Sequence, residues 1–362
     1  MSRVRVGARF APAFLLASAL ALSGLFLVPA PAAACSVCLA GDPLFGAHGA
    51  TAQEVGSFSL YLEARGFRKV SGLLPHGDEP AHGEGTHERG HAHDGSADAR
   101  GGHEHADEEA HAGDGRERSH GQRLDLFASW TPLDRVTFTL DVPFSFNRIV
   151  EREAGERSRS TLNGLGDLSL ASSFVLWRDR ELLPSTWLEG RLWLKAPTGR
   201  DETEVDGRRD PHLQPGTGSW DFGGGLAAVH RRDWGLLYAS VFYRENTPGS
   251  LDYAFGDVLL ASAAVEVPLG HALGRPALEA LTFGFGLDFR YAGHDHQDGA
   301  RYEDSGGAIL YATPALRVRL PWKVRGRAPS LRAAVQVPLA QGWLHGFQRE
   351  KEVWSVGLLL PL

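Results

Sequence analysis

Cysteine is nearly absent from this chain. Cys35 and Cys38 are the two among 362 residues, both within ACSVCLAGDP. No histidine follows Cys38, which excludes a c-type haem attachment. In an oxidising compartment a lone C-x-x-C is a local disulfide or half of a soft-metal site. Long apolar runs are missing as well. Beyond Cys35 no segment reaches membrane-helix length, mean hydropathy is −0.21 and charged residues make up 22%. A bundle of membrane helices is thereby excluded. A β-barrel is not, because its strands show lipid only every second residue. A net charge of −7 gives no basis for a nucleic-acid partner.

The N-terminus has the organisation of an export signal. Arg3, Arg5 and Arg9 precede the apolar stretch FAPAFLLASALALSGLFLV, and PAPAAAC places small residues just before Cys35. A basic start, an apolar middle and a small-residue exit predict a cleaved signal peptide over residues 1–34. Residues 35–54 then form a periplasmic segment carrying the C-x-x-C, where a periplasmic partner could dock, and the rest belongs to one domain over 55–362.

Strict alternation dominates that domain. In RVTFTLDVPFSFN the residues Val136, Phe138, Leu140, Val142, Phe144 and Phe146 share one face, opposite Thr137, Thr139, Asp141, Ser145 and Asn147. LTFGFGLDFRY and EVWSVGLLLPL repeat the pattern. Period two with one apolar face means strands. About twelve such segments are predicted, near 55–71, 122–130, 135–149, 165–178, 186–197, 220–230, 234–245, 256–269, 278–292, 306–320, 329–339 and 351–362. Short and long connections alternate between them. The predicted fold is therefore all-β: a transmembrane antiparallel up-and-down barrel in the outer membrane of a Gram-negative bacterium, in contact with its lipid. Charges on the opposite faces predict a narrow or plugged polar lumen. They include Arg191, Lys195, Arg290, Arg317, Arg319 and Arg332 against Glu63, Asp125, Asp141, Glu189 and Asp288.

Three stretches carry a resemblance. GLGDLSL at 164–170, LKAPTGR at 194–200 and PGTGSWDFGGGLA at 215–227 resemble a family of bacterial outer-membrane proteins named for a putative MetA pathway of phenol degradation. The matching positions are Gly164, Gly166 and Asp167, then Pro197, Thr198 and Gly199, then Gly218, Ser219, Asp221 and Gly223 to Gly225. The resemblance implies a channel or transport role for small organic molecules. PGTGSWD lacks the lysine of a phosphate-cradling loop, so it reads as a turn leading into a strand. Neither the ACSVC head nor the segment 72–121 is part of the matched pattern.

That segment is the predicted first extracellular connection. It holds His76, His82, His87, His91, His93, His103, His105, His111 and His120 among twelve acids and four arginines. No apolar core can form from such a composition, so a mobile loop is expected. Neutral imidazoles with nearby carboxylates suit Zn, Cu, Ni or Co ions. His294 and His296, in GHDHQD, lie on another predicted outer connection, and Cys35 with Cys38 supplies a soft pair at the inner side. The sequence thus points to a channel or transporter, not an enzyme, that handles transition-metal ions. The alternative is a channel for small organic solutes with an incidental loop. Ser240 and His230 stand on neighbouring predicted strands, but no hydrolase motif surrounds them.

Overall fold

A computed structural model describes residues 55–73, 116–153, 156–180, 183–303, 305–345 and 349–362. In its first half it contains β1 (Phe58–Leu73), β2 (Arg116–Leu133), β3 (Val136–Glu153), β4 (Glu156–Leu165), β5 (Ser169–Arg178), β6 (Thr186–Lys195), β7 (Asp221–Arg232) and β8 (Gly235–Glu245). The second half adds β9 (Tyr253–Ala254), β10 (Val258–Pro268), β11 (Leu281–Ala292), β12 (Asp295–Gln297), β13 (Ala300–Tyr302), β14 (Gly307–Arg319), β15 (Ser330–Leu344) and β16 (Arg349–Pro361). Each wall strand pairs antiparallel with its neighbour along the wall, and β1 pairs with both β2 and β16. The sheet is therefore shut into a barrel of twelve strands, which leaves no unpaired edge for the bilayer to meet.

Hairpin β3–β4 is the additional piece. Phe144 pairs with Leu165 and Asp141 with Ser169, so β4 and β5 occupy one wall position, interrupted at 166–168. The sequence pattern predicts a loop over 150–164, whereas most of that stretch is the upper arm of this hairpin. Its sequence, ERSRSTLN, lacks alternating apolar residues, as expected where the wall rises beyond the lipid. Strand β2 likewise begins at Arg116, and Arg68 pairs with His120, which is a strand residue and not part of a connection.

Sidedness follows the alternation. Phe138, Leu140 and Phe146 on β3 are exposed, while Thr139, Asp141, Ser145 and Asn147 between them are buried. Phe283, Phe285, Leu287 and Tyr291 on β11 are exposed, and Arg290 is buried. A soluble protein would not present its phenylalanines and bury its aspartates; a barrel with lipid outside and a polar lumen does. Trp130, Trp177, Trp234 and Trp322 are exposed near the short turns. Trp220, Tyr243, Tyr291 and Trp343 are exposed near the long connections, which gives two aromatic girdles. An 11-residue strand such as β10 is about 36 Å long at ~3.3 Å per residue. Tilted by ~40°, it crosses about 28 Å, enough for the apolar band. Among the described residues no helix is long and apolar enough to cross a membrane.

Candidate functional site

The three motif stretches converge at the end of the barrel that carries the long connections. Gly166 and Asp167 interrupt the β4/β5 wall position, Pro197–Gly199 leaves β6, and Pro215–Ser219 enters β7. Asp167 sits among them. Its carboxylate accepts hydrogen bonds from the amides of Gly199 (2.9 Å) and Thr217 (2.8 Å) and from the Thr217 hydroxyl (3.0 Å). The Lys195 ammonium lies 3.0 Å from Asp167 and 2.6 Å from Asp221, and donates to Ser219 Oγ at 3.2 Å. Ser219 in turn donates to Asp221 at 2.8 Å. All five side chains are buried, so this is a saturated polar knot in which one cation bridges two carboxylates.

Glycine is required here for space. A Cβ on Gly199 would lie 2.8 Å from the Asp167 amide nitrogen, and one on Gly216 would lie 2.7 Å from Asp167 Oδ1. Gly218 also takes φ +70°, a conformation that favours glycine. The knot draws the β6–β7 connection into the mouth. Leu213, Gln214 and Pro215 are buried there, and Asn147 Nδ2 donates to the carbonyls of Leu213 (3.0 Å) and Gln214 (3.1 Å).

Deeper in the lumen the charges pair. Arg65 meets Asp125 at 2.8 Å, and Arg123 bridges Asp125 and Asp141, with 2.9 Å to the latter. Arg191 meets Glu189 at 3.0 Å and donates to the Tyr238 hydroxyl at 3.2 Å. Arg290 and the Tyr311 hydroxyl both bind Glu350, and Arg317 meets Glu266 at 2.7 Å. These are the mixed luminal charges that the strand pattern predicts. Beside them lies a cavity of about 110 Å³, lined from β1, β8, β10, β11, β14, β15 and β16.

A second set of contacts ties the outer connections together. β9, β12 and β13 form a small separate sheet. His212, from the β6–β7 connection, places Nδ1 3.3 Å from Asp210 and Nε2 3.1 Å from the Tyr253 hydroxyl. That hydroxyl donates to Asp295 at 2.6 Å, and Asp295 also accepts from the Gly256 amide at 2.8 Å. Burial disfavours a charged His212 ring, but its contacts to Asp210 and Asp295 override that and push its pKa up to about 10. Burial also opposes ionisation of those two carboxyls, and His212 holds both below their ordinary range. Because the ring's pKa is raised on folding, the tie is complete below the unfolded value and is lost as pH rises through the folded one. Amide-exchange protection in the 249–256 segment should therefore fall as pH rises from about 6.5 to about 10. His212→Ala should show the loss already at about pH 7, where the wild-type ring is still charged. Unchanged protection in that variant contradicts the tie.

The proposed metal ligands fall in different places. Cys35, Cys38 and the histidines from His76 to His111 lie outside the described residues. His120 stands on β2. His294 and His296 do not converge: His296 pairs with Ala254 and Arg301 in the small sheet. His294 stacks face to face on His345, with ring centroids 4.4 Å apart and planes at 2°. Asp295 between them is committed to Tyr253, Gly256 and His212. Among the described residues no cluster of three or more His, Cys, Asp or Glu side chains could hold a metal. Ser240 and His230 face opposite sides of the wall. Ser240 pairs in register with Ser262 in the lumen, while His230 pairs with Leu237, which is exposed on the outside. That pair cannot form a catalytic dyad.

No protein-family match is found for the chain, and no curated protein matches it in sequence. Among solved structures it is similar to an outer-membrane channel from Pseudomonas putida F1. The two share 16% identity over 89% of this chain and 100% of that one, with a TM-score of 0.56. A FadL homologue from Pseudomonas aeruginosa aligns at 12% identity over 92% and 97% of the two chains, with a TM-score of 0.38. The first likeness shows the fold. With its apolar outside, aromatic girdles and charged inside, the chain is a β-barrel of the outer membrane.

Proposed function

We propose that the barrel is a narrow channel for small solutes, and that its histidine-rich first connection gathers transition-metal ions at the outer mouth. The observation that carries the channel reading is the lumen itself: paired charges, hydroxyls and a cavity inside a wall whose lipid side is apolar. A folded core with no transport role would be filled with apolar side chains at lower cost, since burying charge is expensive even when it is paired. The metal reading rests on composition. His76, His82, His87, His91, His93, His103, His105 and His111 alternate with acids over the stretch between β1 and β2. Zinc, copper, nickel and cobalt match that donor set.

Passage of small organic molecules is the second reading. The cavity favours it, because apolar side chains, alanines and glycines stand in its wall beside charged and hydroxyl groups, so that both the apolar and the polar part of a small molecule find contacts. The resemblance of the three glycine-rich stretches to the phenol-degradation family points the same way. Vesicles loaded with purified protein test both readings at once. Swelling in small solutes, with a rate that falls steeply as solute size increases, is expected. Swelling no faster than in protein-free vesicles contradicts a channel.

A further inference from the structure

The cavity is lined by three arginines, Arg65, Arg290 and Arg332, and three carboxylates, Glu63, Glu266 and Asp288. Its wall is opened by Ala264, Gly284, Gly286, Ala315 and Ala334, whose small side chains leave room in the lumen. Toward the short turns, Arg317 and Arg332 stand directly opposite each other in the β14–β15 register, two residues beyond the luminal pair Ala315 and Ala334. Like charges placed opposite across a strand pair repel. Arg317 is compensated by Glu266 at 2.7 Å. Arg65, Arg123, Arg191 and Arg290 also meet carboxylates directly. Arg332 lines the cavity, yet among the described residues it makes no ion pair and no side-chain hydrogen bond. Glu63, on the neighbouring wall, feels the charge of Arg332 without touching it. That acid is taken by Arg65 at 3.5 Å and by the Tyr61 hydroxyl at 3.3 Å.

We propose that Arg332 anchors a subsite for a small organic carboxylate, whose anionic end is gripped by the guanidinium and whose carbon skeleton lies along the alanine–glycine wall. Guanidinium presents two parallel N–H groups that match a carboxylate. The added anion would also relieve the repulsion between Arg317 and Arg332. Inorganic anions share the charge but have nothing to set against the apolar wall. Such a subsite presupposes the small-solute reading of the lumen, and it specifies the chemistry of the solute.

Calorimetric titration of the full-length protein in detergent tests this with three probes: benzoate, inorganic phosphate and benzyl alcohol. Benzoate is expected to bind more tightly than either of the others. Arg332→Gln should weaken benzoate roughly tenfold or more, as expected when a charge-assisted pair is removed, and leave benzyl alcohol unchanged. Ala315→Leu, which fills the wall, should weaken benzoate and spare phosphate. Equal affinity of the wild type for phosphate and benzoate, or benzoate binding indifferent to Arg332→Gln, overturns the proposal. Should Arg332→Gln fail to fold, Arg332→Lys decides the same point: a several-fold loss supports the forked contact, and no loss overturns it. Failure of the channel reading looks different, because vesicles would then swell in no solute whatever the titrations show.

Discussion

Lys195→Met will leave the Asp167 and Asp221 carboxylates buried without their cation. Breaking a buried pair by removing one partner typically costs about 3–5 kcal/mol, because the remaining charge is uncompensated. Here one lysine serves two carboxylates, so a loss at the upper end of that range is expected. It should be read as a lower urea midpoint for the heat-modifiable shift in gel mobility. Adding Asp221→Asn removes one of the stranded charges and should restore part of the loss, which a double-mutant cycle will report as coupling. A midpoint unchanged from the wild type would mean that the knot does not secure the mouth.

Deletion of residues 76–111 is expected to abolish most binding of zinc, copper and nickel by the purified protein while leaving the barrel folded. The ladder between β1 and β2 reaches Leu73 opposite Arg116, so a short turn can replace the deleted stretch without unpairing the wall. Eight of the nine histidines between His76 and His120 go with the segment. In the wild type, binding should weaken as pH falls through about 6.5, where free imidazole protonates. Full metal content in the deletion variant would remove the histidines from the function and leave Cys35 and Cys38 to account for it.

The barrel is legible in the sequence because the bilayer imposes a rule on every strand. Phe283, Phe285 and Leu287 must face lipid, and Gly284, Gly286 and Asp288 must face the lumen, so alternation alone locates twelve wall positions. Where the wall leaves the lipid the rule lapses. β4 and the outer ends of β2 and β3 lack the alternating pattern, and the same stretches are therefore predicted as loops. The knot is legible only in outline. Gly166-Asp167, Pro197-Thr198-Gly199 and Gly218-Ser219 stand out as turn chemistry, but nothing local says that Asp167 caps the amides of Gly199 and Thr217. Those contacts depend on strand register across three connections. The His294–His345 stack is invisible for the same reason, since sequence proximity suggests His296 as the partner. Strand alternation is enough to place Arg332 in the lumen, but its lack of a carboxylate partner among the described residues depends on the cross-strand pairing with Arg317.

The wall is two-sided, with lipid against one set of alternating residues and a polar lumen against the other. Spin labels on single cysteines test this most directly, in a background with Cys35 and Cys38 replaced by serine and the protein reconstituted in bilayers. Labels at Phe285 and Leu316 should be relaxed strongly by oxygen, which concentrates in lipid, and weakly by a water-soluble nickel complex. Labels at Ser262 and Thr313 should lack that oxygen excess. The same collision profile at all four positions, or the reverse assignment, would contradict a membrane barrel with a polar interior.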